Sequence, residues 1–192
     1  MILASKSPRR KEILENIGFN LKIESEEVEE ISNKLEITEK IMEIAYKKVE
    51  AVAYKFPDEY VVGADTIVEL NDEIIGKPKD EKEAFKILKN LSGKTHNVIT
   101  AYSFINKSKN ILIQDYSITK VFFKDLSDEM INWYISTKEP MDKAGAYGIQ
   151  EKGSIFVEKI EGDFFTVMGF PIEKFMTRLL ELGISLKDIE KI

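Results

Sequence analysis

The chain has 192 residues, room for one sizeable domain or two small lobes sharing a core, and 43% of them are hydrophobic, so wholesale disorder is excluded. With 28 basic against 34 acidic residues, the formal net charge of -6 puts a non-specific nucleic-acid binder behind other readings. The lack of cysteine excludes a disulfide scaffold, a thiolate zinc site and a cysteine nucleophile, and it fits a reducing compartment.

No apolar stretch approaches the roughly 18 residues of a membrane span. The start, apolar through Met1–Ser5 and charged only at Lys6, has the wrong order for a signal peptide. A soluble cytoplasmic protein is the expectation.

In chain order, Met1-Ile2-Leu3-Ala4 predicts a short strand. Ser7 then suits a helix N-cap and Pro8 the first helical position, with Ile13, Leu14 and Ile17 as the apolar stripe and Gly18 as the stop. Glu24 to Glu30 is an acidic loop. A second helix, about Thr38 to Tyr54, carries Ile41, Ile44, Ala45, Val49 and Val52 at offsets of three and four, with Lys48 inside the stripe. A buried strand from Tyr60 leads into Gly63-Ala64-Asp65-Thr66 and continues to Leu70; Asn71-Asp72 turns it into a hairpin through Ile74-Ile75-Gly76, which Lys77-Pro78 breaks.

Asp80 with Glu83 resembles a capping box opening a helix that stops at Ser92-Gly93. Strands follow at Asn97–Ile105 and Ile111–Lys124, then a helix capped by Ser127 and a glycine-containing loop, Ala144 to Gln150. Ser154–Ile160 and Phe164–Met168 read as strands around Glu161-Gly162. Pro171 starts a last helix with Ile172, Phe175, Met176, Leu179 and Leu180 inward. Irregular alternation with several hairpins predicts an α/β fold with a mixed sheet and packed helices, not a purely parallel sheet.

Chemistry can reside at a few places. Arg9 and Arg10 stand in the first turn of a helix, where they oppose the dipole; free N–H groups, the dipole and guanidinium forks together favour a phosphate there over a solvated arginine pair. Lys48 alone reads better as a lysine snorkelling to water, the other reading being an ammonium aimed into a cleft. Asp65 ends an apolar strand and can ligate Mg²⁺, accept a proton from water, or simply turn the chain. Lys77, between a glycine and a rigid proline, is as well explained by a hairpin exit as by a ligand.

Glu27, Glu29 and Glu30 offer carboxylates to a hard cation, although such runs are normally solvated. Gln150 is either a polar loop terminus or an amide for a nucleobase edge. Asp163 suits a turn, His96 reads as structural, and Trp133 as partly buried. Neither GxxxxGK[ST] nor GxGxxG occurs.

Taken together, LASKSPRR, GADTIV, GKP, LSGKTHNV, EPMDKAGAYGIQ, FVEKIEGD and VMGFP, in this order and at these separations, resemble the Maf family of nucleotide pyrophosphatases across nearly the whole chain. The resemblance implies one domain over residues 1–192 with a curved mixed β-sheet, flanking helices and two lobes around a cleft. It implies hydrolysis of a nucleoside triphosphate to the monophosphate and pyrophosphate with a divalent cation (Mg²⁺, Mn²⁺ or Co²⁺), no nucleic-acid or membrane partner, and a possible homodimer. Its catalytic aspartate falls on Asp65 and its specificity positions on Arg9, Thr66 and Gln150, a combination similar to the branch acting on dTTP, UTP and modified pyrimidines.

Ser7, Arg10, Glu30, Lys48 and Lys77 match its phosphate-handling and cation-handling positions, with Glu30 and Asp65 as the metal ligands. Glu43, Val49 and Thr166 stand where arginine, alanine and asparagine are common in the family. Two rival readings accompany this one: a purine-type enzyme acting on 7-methyl-GTP or inosine triphosphate, and a non-catalytic nucleotide-binding regulator of septum formation.

Overall fold

The first strand-to-helix step forms as its residues predict. In a computed structural model that describes residues 1–192, β1 (Ile2–Leu3) runs into α1 (Pro8–Ile17). The Ser7 side chain accepts from the Arg10 backbone N–H, Pro8 occupies the first turn where an N–H would go unused, and Gly18 ends the helix at φ 109°. Then come β2 (Lys22–Ile23), α2 (Ile37–Lys55), β3 (Val61–Leu70), β4 (Glu73–Ile75), α3 (Glu81–Leu91), β5 (Thr95–Asn106) and β6 (Ile111–Phe123). The chain ends with α4 (Asp128–Ser136), β7 (Val157–Glu161), α5 (Phe164–Met168) and α6 (Ile172–Glu181).

Seven strands form one sheet in the order β2-β1-β3-β5-β6-β7, with β4 paired to β3. β1 pairs in parallel with β2 and β3, while β3–β4 and β6–β7 are antiparallel, which is the mixed sheet expected. Asn71 and Asp72 both have positive φ (54° and 66°), the backbone of a two-residue hairpin turn whose twist matches its strands.

The residues fall into two compact units. The first comprises Met1–Asp65, Thr100–Ser117 and Gly169–Ile192. Its core joins Ile2, Ala4, Val49, Val52, Ala53, Val61 and Ile105. A second set of contacts packs Tyr102, Phe104 and Phe170 around Phe175 of α6, with ring centroids 5.3–5.5 Å apart, each pair adding about 0.5–1.5 kcal/mol to its buried area. α2 lies close on β3 because residue 63 has no side chain: a Cβ there would sit 2.8 Å from Val49 Cγ2 and 3.3 Å from Ala4 Cβ. Gly63→Ala is therefore expected to cost about 1–3 kcal/mol in urea unfolding, and Val49→Ala to relieve most of that cost in the double variant.

The second unit comprises Thr66–Ile99 and Ile118–Met168. Val68, Leu88, Leu91, Val121, Phe123, Ile131, Tyr134 and Phe156 are among its buried residues. His96 is buried here, its Nε2 2.8 Å from the Tyr147 hydroxyl and its ring edge-on to Phe123 and Tyr147, in keeping with a structural role. Burial lowers its pKa from 6.5 to about 4.

The unfolded chain therefore takes up the His96 proton below 6.5 and the folded one only below about 4. Stability should be flat above that window and fall through it as pH drops, by about 3 kcal/mol in all. Denaturant midpoints from pH 7 to 4 check this, and His96→Phe should remove the dependence confined to that window.

Three expectations are corrected. Phe164–Met168 is helix, not strand, because Asp163 caps it: its carboxylate accepts from the N–H groups of Phe165 (3.1 Å) and Thr166 (2.7 Å) and from the Thr166 hydroxyl (2.7 Å). That bond also satisfies the Thr166 hydroxyl. Residues Lys152–Phe156 form a 3₁₀ turn ahead of β7 instead of extending the strand. Leu180 is 51% exposed, on the outer side of α6.

Candidate active site

In the first unit, three segments bring charges together. Lys48 follows Ala45 by three residues on α2, so it shares the stripe that buries Ile41, Ala45, Val49 and Val52. Its Nζ lies 2.6 Å from Asp65 Oδ1, which sits at the middle of β3 and not at a strand end as expected, because the strand runs on unbroken to Leu70, and 2.7 Å from Glu30 Oε1 in the loop before α2. The side chains of Lys48 and Asp65 are only 19% and 14% exposed, whereas Glu30 is 60% exposed. The lysine in the apolar stripe is thus an ammonium bridging two carboxylates, one semi-buried and one open to water.

The start of α1 carries the guanidinium groups. Arg10 Nε donates to the Gly169 carbonyl at 2.9 Å and Nη1 to Ser5 Oγ at 3.1 Å. Ser5 Oγ also accepts from the Ser7 N–H at 3.2 Å, so one hydroxyl fixes both the cap and the fork. Burial lowers the Arg10 pKa; Asp65 and Glu30 act to raise it, and neighbouring Arg9 lowers it further. Two guanidiniums thus stand at a helix N-terminus with no acid in its first turn, where the dipole favours negative charge. Ser7, Arg10, Glu30, Lys48 and Asp65 are therefore one electrostatic cluster, with half-buried Arg9 acting on Arg10 within it.

Thr66, Lys77 and Gln150 belong to the second unit. Thr66 is half-buried on β3, on the strand face opposite Asp65 by the two-residue repeat. Lys77 is exposed between Gly76, whose carbonyl accepts from the Gly145 N–H at 3.1 Å, and buried Pro78. Gln150 is exposed at the end of its loop.

Sequence reasoning missed two residues. Ser5 was passed over although a second serine two positions before the cap was a signal. Lys143 stood only within the EPMDKAGAYGIQ motif, with no role of its own, yet its side chain is 7% exposed. Glu43 accepts from Ser32 Oγ at 2.6 Å and pairs with Lys47 at 2.9 Å, and the Ser32 and Lys47 hydrogen bonds hold its pKa low.

The donor set fits a hard divalent cation. Carboxylate oxygens from two segments already converge on one positive charge, and no third acidic or imidazole group joins them. That is the pattern for a cation such as Mg²⁺ held by one or two carboxylates and by phosphate, not by a dedicated protein cage. A groove of about 910 Å³, lined by Met1, Phe19, Lys22, Phe56 and Glu59 among others, lies by the N-terminal end of β1 and contains none of these residues.

Known proteins match this chain closely. A protein named dTTP/UTP pyrophosphatase from Fusobacterium nucleatum is 55% identical over 192 residues, covering 100% of both chains. Proteins of the same name from Alkaliphilus oremlandii and Pyrococcus furiosus are 54% and 50% identical over 190 residues, covering 98% of this chain and 95% and 98% of theirs. Among solved structures, the Staphylococcus aureus Ham1 protein aligns with a TM-score of 0.48 and 18% identity over 65% of this chain and 71% of that one. The model for Maf-like protein matches residues 1–182, and the chain belongs to that family.

Proposed function

We propose that the chain is a nucleoside triphosphate pyrophosphatase acting on dTTP, UTP and modified pyrimidine triphosphates, a soluble cytoplasmic enzyme, expected as a homodimer, that clears such nucleotides from the pool. The observation that carries this reading is the Lys48 ammonium bridging Asp65 and Glu30, in electrostatic reach of Arg10. An isolated enzyme-like cluster would support only anion binding. This one sits in a chain half identical, end to end, to relatives that bear the pyrophosphatase name.

The residues divide the work. Ser7, Arg9 and Arg10 at the start of α1 take phosphate oxygens through hydroxyl, backbone N–H and guanidinium donors. Lys48 and Lys77 neutralise further phosphate charge. Asp65 accepts a proton from water as the water oxygen bonds to the α-phosphorus. The bond from that phosphorus to the bridging oxygen breaks, and pyrophosphate leaves with the electron pair. Glu30 and Asp65 would hold a divalent cation, which when bound offsets the phosphate charge. Arg9, Thr66 and Gln150 select the base, Gln150 through an amide that offers a donor and an acceptor together.

The test is a panel of triphosphates with pyrophosphate detection, run with Mg²⁺, Mn²⁺ and Co²⁺. Preference for dTTP and UTP is expected. Preference for 7-methyl-GTP or inosine triphosphate would make the enzyme purine-type, and binding without pyrophosphate release under every metal would make the protein a regulator.

A further inference from the structure

We propose that Lys143 is a positioning residue for base selection, a buried ammonium that closes the Ala144–Gln150 loop and so fixes where Gln150 stands. This rests on the dTTP/UTP reading above. Lys143 Nζ donates to the Glu139 carbonyl at 2.8 Å and to Asp142 Oδ1 at 2.9 Å, and lies 3.7 Å from Glu151 Oε2. It therefore ties the segment before the loop to the residue after Gln150. A buried charge is costly unless paired, and a methionine of similar length would fill the space at less cost. An ammonium here is better explained by the geometry it imposes than by stability.

The rest of the loop is shaped around that ammonium. The Lys143 stem lies against Gly148, where a Cβ would meet Cε at 2.7 Å and Cδ at 3.0 Å. Gly153 packs so closely on Gly148 that a Cβ would sit 2.6 Å from the Gly148 carbonyl oxygen. The Gly148 N–H donates to the Tyr134 hydroxyl at 3.1 Å. Gly145, at φ 69°, donates to the Gly76 carbonyl, so the same loop buttresses the turn that presents Lys77.

The surrounding charges are Asp142, Glu139, Glu151 and Lys152. Burial, then a hydrogen bond that the protonated Glu139 carboxyl donates to the Glu151 carboxylate, raises the Glu139 pKa, and the Lys152 N–H donates to Glu139 at 3.2 Å. Without the Lys143 ammonium, the carboxylate of Glu151 loses a cation immediately next to Gln150.

The test measures kcat and KM of the full chain for dTTP, UTP, dCTP and GTP, with thermal unfolding, in wild type, Gln150→Glu, Lys143→Met and Lys143→Met/Glu151→Gln. Lys143→Met is expected to lower the dTTP-over-GTP ratio of kcat/KM about tenfold, chiefly through KM for dTTP, with kcat held within about threefold. A merely structural role would lower all four substrates alike and leave the ratio unchanged, and that result in a folded variant would overturn the proposal. If Lys143→Met does not fold, the double variant, which removes both charges, decides by the same ratio. A shifted ratio in Gln150→Glu with none in the Lys143 variants sinks this inference alone. No pyrimidine preference in wild type sinks it together with the reading beneath it.

Discussion

Asp65→Asn is expected to lower kcat for dTTP by about 10²–10⁴-fold while the fold survives. Asparagine has the shape of aspartate and keeps a carbonyl oxygen where Asp65 Oδ1 accepts from Lys48 at 2.6 Å. What it loses is the negative charge, and with it the capacity to take a proton and part of the hold on a cation. Pyrophosphate release and the thermal midpoint, measured on the same preparation, separate the two effects. A variant with unchanged midpoint and wild-type turnover would remove Asp65 from the chemistry.

Lys48→Met should act on both stability and rate. Methionine keeps the stem along the stripe of α2 but removes the charge between Asp65 and Glu30. Breaking a buried pair costs about 3–5 kcal/mol. Here Glu30 is largely in water, so about 1–2 kcal/mol is the expected loss in urea unfolding. Turnover should fall about 10²–10³-fold, the scale of removing one preorganised electrostatic group. A Mn²⁺ titration without nucleotide gives an independent sign: two unneutralised carboxylates should hold the ion more tightly than wild type, and Asp65→Asn less tightly. Equal affinity in all three would place the cation elsewhere.

The parts of the fold legible in the sequence are those set by neighbours a few residues apart. Ser7 with Pro8, Asp80 with Glu83 and Ser127 each announce a helix start through a local hydrogen bond. Asn71-Asp72 announces a hairpin in the same way. The Phe164–Met168 segment misled because Phe, Thr and Val favour strands, while its conformation is decided by one carboxylate just before it. β2 went unseen since two residues owe their strand character to β1.

The site shows the same division. The residue types were readable, and Lys48 stood out as a charge in an apolar stripe. Its two partners were not readable from spacing, because they come from the β3 strand and the loop before α2. The hold on Arg10 comes from Gly169, 159 residues away, and no periodicity carries that. Lys143 hid for a related reason: a lone lysine just before a loop of small residues looks solvated until the fold covers it.

The decisive measurement is hydrolysis of dTTP by the wild-type chain in water enriched in heavy oxygen, with mass analysis of both products. If Asp65 primes water against the α-phosphorus, the label enters dTMP and the pyrophosphate carries none. Label in pyrophosphate or orthophosphate, or dTTP left intact under every divalent metal, would contradict that chemistry.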